Sequence, residues 1–187
     1  MNNMKIILIG GSGFLGSHIA DALTKVGHKV IIFDNKDSKY LKLSQKMIVG
    51  DIMKLEDLVK ASKNCDVMYN FAGLSDIDEA KLMPIKTAEL NILGNLNALE
   101  AARINKIKRF VFASSLYVYS KMGSFYRVSK QASENFVESY FESYGMEYTI
   151  LRFGSLYGPR SDSRNGLYRI VKNALKTNKI TYEGSEK

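Results

Sequence analysis

Lys5-Ile6-Ile7-Leu8-Ile9-Gly10-Gly11-Ser12-Gly13-Phe14-Leu15-Gly16 is the stretch that decides the fold of this chain. Its unbroken aliphatic run reads as a strand buried on both faces, and the glycines end it. Apolar residues then recur at three- and four-residue spacing from Phe14 to Val26, so a helix opens directly from the glycines. Glycines at 10, 13 and 16 allow a tight turn, close backbone approach to a pyrophosphate and close packing of helix on strand. The helix N-terminus adds N–H donors and a favourable dipole. A glycine pattern alone is weak evidence; the strand before it and the helix after it give it weight.

Further along, Lys29–Phe33, Lys46–Val49, Asp66–Phe71, Arg109–Ala113 and Tyr148–Leu151 read as strands. Between them, Leu55–Ser62, Glu79–Ala102 and Val128–Tyr144 read as amphipathic helices, with Pro84 interrupting the long one. Nearly all-apolar strands, each followed by a helix, predict an α/β fold: a Rossmann-type doubly wound parallel sheet with helices on both faces. Asp34 ends the second strand, 18 residues after Gly16. A carboxylate there can accept hydrogen bonds from the adenosine ribose hydroxyls and repel a 2′-phosphate, which favours NAD over NADP. Capping of a turn is its other reading, and Lys36 nearby softens the preference. A helix over Gly166–Thr177 and a strand starting at Ile180–Glu183 complete the pattern.

The 187 residues, 45% hydrophobic and 25% charged, suffice for one well-buried domain and not for two full ones. The net charge of +8 suits an anionic partner, but the basic residues are scattered, which speaks against nucleic acid. Cys65 excludes an internal disulfide framework and fits a small core residue. His18 and His28 stand outside any metal-ligand spacing, so no metal site is expected. The early apolar run is too short for a signal peptide or a membrane span, and a cytoplasmic location follows as the expectation.

Gly10–Gly16, Asp34-Asn35, Gly50-Asp51-Ile52, Asn70-Phe71-Ala72-Gly73, Asn91, Ser114-Ser115, Tyr126-Arg127-Val128-Ser129-Lys130 and Leu151-Arg152-Phe153 with Tyr157-Gly158-Pro159-Arg160 occur in one order. That series resembles the extended short-chain dehydrogenase/reductases, and most nearly the NAD-dependent epimerase/dehydratase family acting on nucleotide sugars. The likeness runs from Lys5 to about Lys187.

Tyr126 and Lys130 are four apart on a predicted helix and share a face, so the ammonium is expected to favour the phenolate and lower the phenol's pKa. Tyr126 then serves as acid/base, and Ser115 holds the same substrate oxygen during hydride transfer. A solvated Tyr/Lys pair is the ordinary alternative when such spacing stands alone. The resemblance assigns further residues to NAD: Gly10, Gly13, Phe14, Leu15 and Gly16 at the pyrophosphate, Asp34 and Asn35 at the ribose, and Asp51 and Ile52 beside the adenine. Phe71, Ala72, Gly73 and Ser114 would line the nucleotide. Asn91 would support the active-site helix, and Lys130 would also touch the nicotinamide ribose. Without the resemblance, Asp51 and Asn91 read as a turn residue and a helix-surface residue. The likeness further implies a UDP-linked sugar substrate, a role in polysaccharide biosynthesis and a homodimer.

Three departures narrow this expectation. Leu116-Tyr117 follow Ser115, where sugar-nucleotide 4,6-dehydratases carry an Asp-Glu pair or a Glu, so no carboxylate is present for eliminating water. Hydride-transfer chemistry with one phenol remains: 4-epimerisation through a transient ketone, or simple oxidation or reduction. The 11-residue spacing from Ser115 to Tyr126 is shorter than in nucleotide-sugar epimerases, and Ser155 replaces a common substrate-contacting Asn. Finally, family members continue well past Lys187. The expected organisation is therefore an NAD-binding domain over 1–160 and the start of a truncated substrate part over 161–187, in a fragment or a natural short form. A small NAD(P)-dependent reductase on a non-sugar substrate and a silent NAD-binding protein are the alternatives.

Overall fold

The computed structural model describes residues 3–180. Six strands, β1 (Lys5–Ile9), β2 (Lys29–Asp34), β3 (Lys46–Val49), β4 (Val67–Asn70), β5 (Arg109–Ser115) and β6 (Glu147–Phe153), form one parallel sheet in the order β3-β2-β1-β4-β5-β6. That is the Rossmann order, whose direction reverses between β1 and β4 and leaves a crevice at the strands' carboxyl ends. The helices are α1 (Phe14–Lys25), α2 (Leu55–Ala61), α3 (Ile77–Leu82), α4 (Pro84–Ala88), α5 (Gly94–Ile104), α6 (Ser124–Tyr144) and α7 (Gly166–Thr177).

Strand alternation divides the core in two. Ile7, Ile9, Ile31, Phe33, Met68, Phe110 and Phe112 face Leu58 of α2, Leu99 of α5 and Val137 of α6. Ile6, Leu8, Val30, Ile32, Val67 and Val111 pack on the opposite face with Ala20 of α1. Thus β1 is buried on both sides, which is why its sequence is aliphatic without alternation. Cys65 lies in the first core, as expected of it. Alanines at 98, 101 and 102 are fully buried and let α5 approach the sheet closely.

The segment expected as one helix over Glu79–Ala102 is several. Pro84 has no N–H and disfavours a helical residue before it, so α3 ends at Leu82, Met83 sits at φ −127° and ψ 65°, and Pro84 opens α4. A π-helical turn, Glu89–Leu93, then joins α4 to α5. The second helix partner, α6, starts at Ser124 rather than Val128. Ser115 is the last residue of β5, not a residue beyond it. β4 is shorter by one residue at each end than expected, although the Asp66 and Phe71 N–H groups still donate to the Lys5 and Ile9 carbonyls of β1 at 2.7 and 2.8 Å. The strand expected over Ile180–Glu183 lies outside the described residues beyond Ile180.

Contacts divide the chain into Met1–Gly154 and Ser155–Lys187. In the second unit, the Asn165 side chain caps α7 by accepting from the Tyr168 N–H at 3.0 Å. None of the described helices is long and apolar enough to cross a membrane.

Candidate active site

The loop between β1 and α1 leaves no room for a side chain at positions 10 and 16. Gly10 has φ +77°, and a Cβ there would stand 2.5 Å from the Ala72 amide nitrogen. A Cβ at Gly16 would collide with the Gly10 carbonyl oxygen, so α1 packs directly against the loop. The N-cap, Gly13, offers no side chain to the first turn, and no acidic residue lies in that turn. The helix N-terminus is therefore left with N–H donors and a positive dipole end, the environment a pyrophosphate requires. Phe14 and Leu15 are half-buried in that turn, with Phe14 edge-on to His18.

Asp34, at the tip of β2, accepts from the Ser12 N–H at 3.0 Å through Oδ2, which ties the glycine loop to the neighbouring strand. Oδ1 has no partner among the described residues and suits a ribose hydroxyl; Asn35 beside it is exposed. Asp51 turns the chain after β3, accepting from the Met53 N–H at 2.9 Å, while Ile52 buries its side chain against Gly94. Phe71 stacks on Tyr69 and packs, partly buried, against the α1-side core. The exposed loop residue Gly73, at φ +147°, has no room for a side chain, since a Cβ there would stand 2.6 Å from Asn91 Oδ1.

Asn91, in the π-helical turn, is buried. Its Oδ1 accepts from the Leu74 N–H at 2.7 Å, and its Nδ2 donates to the Leu74 carbonyl at 3.0 Å and to Ser129 Oγ at 2.9 Å. The loop after β4 is thereby fastened to α6, one residue before Lys130. At the carboxyl ends of the central strands two buried polar atoms, Ser114 Oγ and Asn95 Nδ2, have no hydrogen-bond partner. Such orphans are rare in a finished core and fit a site that takes a polar ligand.

Ser115, Tyr126 and Lys130 come together from β5 and α6, and all three are buried. The Ser115 side chain hydrogen-bonds the Tyr126 phenol and also accepts from the Tyr117 N–H at 3.3 Å. Lys130 Nζ donates to the Ala113 carbonyl at 2.7 Å and lies 5.8 Å from the Tyr126 ring centroid. The expectation of a lowered phenol pKa is corrected here. Burial dominates and raises the Tyr126 pKa, the Ser115 hydrogen bond opposes it, and the neighbouring Tyr117 adds to the rise. The ammonium donates to the Ala113 carbonyl, and burial of the phenol is the larger effect in the ligand-free chain.

Two polar side chains at this site escaped the sequence reading. Asn95 lies one helical turn after Asn91 and accepts from Asn70 Nδ2 at 2.9 Å. Glu134 lies one turn after Lys130 and pairs with Arg152 of β6. The four-residue spacing was visible for both; the partner strands were not.

The description of the NAD dependent epimerase/dehydratase family matches residues 6–187. A Methanocaldococcus jannaschii protein provisionally named UDP-glucose 4-epimerase is 31% identical over 177 residues, covering 85% of this chain and 58% of its own length. The dTDP-D-glucose 4,6-dehydratase of Dictyostelium discoideum is 28% identical over 98% of this chain and 51% of its own. Among solved structures, the Thermus thermophilus UDP-glucose 4-epimerase in complex with NAD superposes with a TM-score of 0.85 at 28% identity, over 92% of this chain and 63% of that one. The chain spans little more than half the length of the two curated relatives.

Proposed function

Because the chain belongs to the NAD-dependent epimerase/dehydratase family, we propose that it carries the cofactor-binding and acid/base part of a nucleotide-sugar epimerase-type oxidoreductase acting on a UDP-linked sugar. The carrying observation is the meeting of Ser115, Tyr126 and Lys130 beside the crevice at the strand ends. NAD is the family's cofactor, and when bound it accepts a hydride from the sugar carbon and returns it. In this reading the α1 N-terminus and the glycine loop hold the pyrophosphate, and Asp34 Oδ1 accepts from the adenosine ribose. Asp51 and Ile52 flank the adenine, while Ala72, Gly73 and Ser114 line the nucleotide.

Tyr126 takes the hydroxyl proton as the sugar carbon is oxidised, and gives it back when the ketone is reduced from its other face. Ser115 donates to the same oxygen as charge develops on it. The raised pKa of the ligand-free phenol suits the proton-returning half, and the Lys130 ammonium four residues on would favour the phenolate in the proton-accepting half. Leu116 and Tyr117 offer no carboxylate beside the sugar, which favours epimerisation over dehydration even though one relative is named a dehydratase.

The test offers NAD with UDP-glucose or UDP-galactose and follows the nicotinamide absorbance and the epimer formed. Tyr126→Phe should cut turnover by about three to four orders of magnitude and leave NAD affinity within about twofold. Loss of NAD binding in that variant would refute the role given to Tyr126. A small-substrate dehydrogenase is the second reading, favoured by the short segment between Ser115 and Tyr126. Reduction of NAD by a simple alcohol, with no nucleotide-sugar epimer formed, would select it.

A further inference from the structure

Lys130 carries its charge where charge is hard to hold. Its Nζ lies 4.8 Å from the Phe112 ring centroid, and its hydrogen bond to Ala113 is to a neutral carbonyl. One turn along α6 stands Glu134, also buried. Arg152 grips both oxygens of that carboxylate, Nε donating to Oε1 at 3.0 Å and Nη2 to Oε2 at 2.7 Å. The third arm, Nη1, donates to the Tyr119 hydroxyl at 2.6 Å, in the 3₁₀ turn Leu116–Tyr119 that follows Ser115. Glu134 is buried while the Arg152 side chain keeps 34% of its surface exposed; a pair of this kind adds little stability by itself, so the place of the carboxylate one turn from Lys130 calls for another reason.

We propose that Glu134, clamped by Arg152, is a positioning residue that keeps Lys130 charged and extended toward Tyr126. The proposal rests on the role given above to Ser115, Tyr126 and Lys130. The Phe112 ring and the Ala113 carbonyl of β5 and the Tyr126 ring of α6 stand against the ammonium. Glu134 lies four residues on along α6, on the same helix face, with the Arg152 guanidinium of β6 on its oxygens. Around these lie Asn91 of the π-helical turn, which is neutral and bonds Ser129, and Tyr117 of the 3₁₀ turn, edge-on to Tyr126. Burial pushes the Lys130 pKa down to about 8, and Glu134 is the charged group that opposes it.

The decisive measurement is the titration of Lys130 in the full chain, followed by NMR with carbon-13-labelled lysine and assigned by the signal lost in Lys130→Arg. Glu134→Gln should lower the midpoint by about half to one pH unit, and Glu134→Asp should restore most of it. Arg152→Gln should move it the other way, because an opposing positive charge is gone. An unchanged midpoint in folded Glu134→Gln, or shifts of the same sign in the Gln variants at 134 and 152, would overturn the proposal, since general loosening carries no such sign. Should Glu134→Gln fail to fold, Arg152→Gln decides alone: no rise refutes. The titration needs no turnover. A Lys130 that moves as described in a chain that binds no NAD would sink the proposed function and leave this inference standing. Turnover that depends on Tyr126, with an immobile Lys130 midpoint, would do the reverse.

Discussion

At the residue scale, an ammonium withdrawn from water between two aromatic rings gives up its proton more easily than one in solvent. Burial accordingly pushes the Lys130 pKa down to about 8 from the ordinary 10.5. The unfolded chain keeps the ordinary value, so the folded state binds this proton less tightly. The resulting loss of stability is full below about pH 8 and fades as pH rises to 10.5. Its size corresponds to about 3 kcal/mol. Lys130→Met, which fills the same space without charge but leaves the Ala113 carbonyl without its donor, should stabilise the ligand-free chain by about 1 to 2 kcal/mol at neutral pH. The gain should vanish near pH 10.5, and turnover should be lost. Urea unfolding at the two pH values checks this; a destabilised variant at neutral pH would mean that Lys130 is not strained by burial. Tyr126 and Lys130 could be found from sequence because their partnership is local, four residues on one helix. The direction of the phenol's pKa could not, because it depends on what β5 and the 3₁₀ turn place around it.

At the element scale, the strands were readable because a parallel sheet covered on both faces demands unbroken apolar runs, as in Ile6–Ile9 and Val30–Phe33. Pro84 announced the break before α4 through its missing N–H. The π-helical turn carried no local signal. Its one extra residue matters through tertiary contacts: the Asn91 carbonyl accepts from Ser133 Oγ at 2.8 Å while the side chain holds Leu74 and Ser129. A helix-surface role, the ordinary reading of Asn91, is therefore wrong for a side chain that joins three segments. Asn91→Ala would leave the Leu74 N–H and carbonyl buried without partners, at a cost of about 3 kcal/mol. Differential scanning calorimetry should then show a fall in Tm of about 6 to 12 °C. A fall of less than about 2 °C would mean that water or a shifted loop replaces the amide, and that the latch is dispensable.

At the scale of the whole molecule, the neighbouring helices α5 and α6 leave a question that the sheet does not answer. Val137 of α6 is sealed in the core, but Phe136, Phe141 and Tyr144 keep 38%, 44% and 58% of their surface exposed. The helix expected over Val128–Tyr144 is amphipathic, and its aromatic residues divide between a packed side and an open one. Tyr140 donates to Glu100 of α5, and Arg103 of α5 lies over the Tyr144 ring, so the two helices are already laced together along the open side. Leu93 and Ile104, at 50% and 44% exposure, flank α5 and add aliphatic surface. Exposed aromatic and aliphatic side chains grouped on two neighbouring helices are the composition of an interface core. A homodimer formed by pairing this surface with its own copy through a two-fold axis is the assembly we propose. Phe136→Glu together with Tyr144→Glu would place charges in the middle of that interface and should weaken dimerisation by at least about a hundredfold. Neither residue touches the glycine loop or the Ser115, Tyr126 and Lys130 cluster, so NAD affinity should be retained. Light scattering coupled to size exclusion should give twice the chain mass for the parent and one chain mass for the double variant. A parent that elutes as a monomer at every concentration would leave these aromatics without a partner copy and end the proposal.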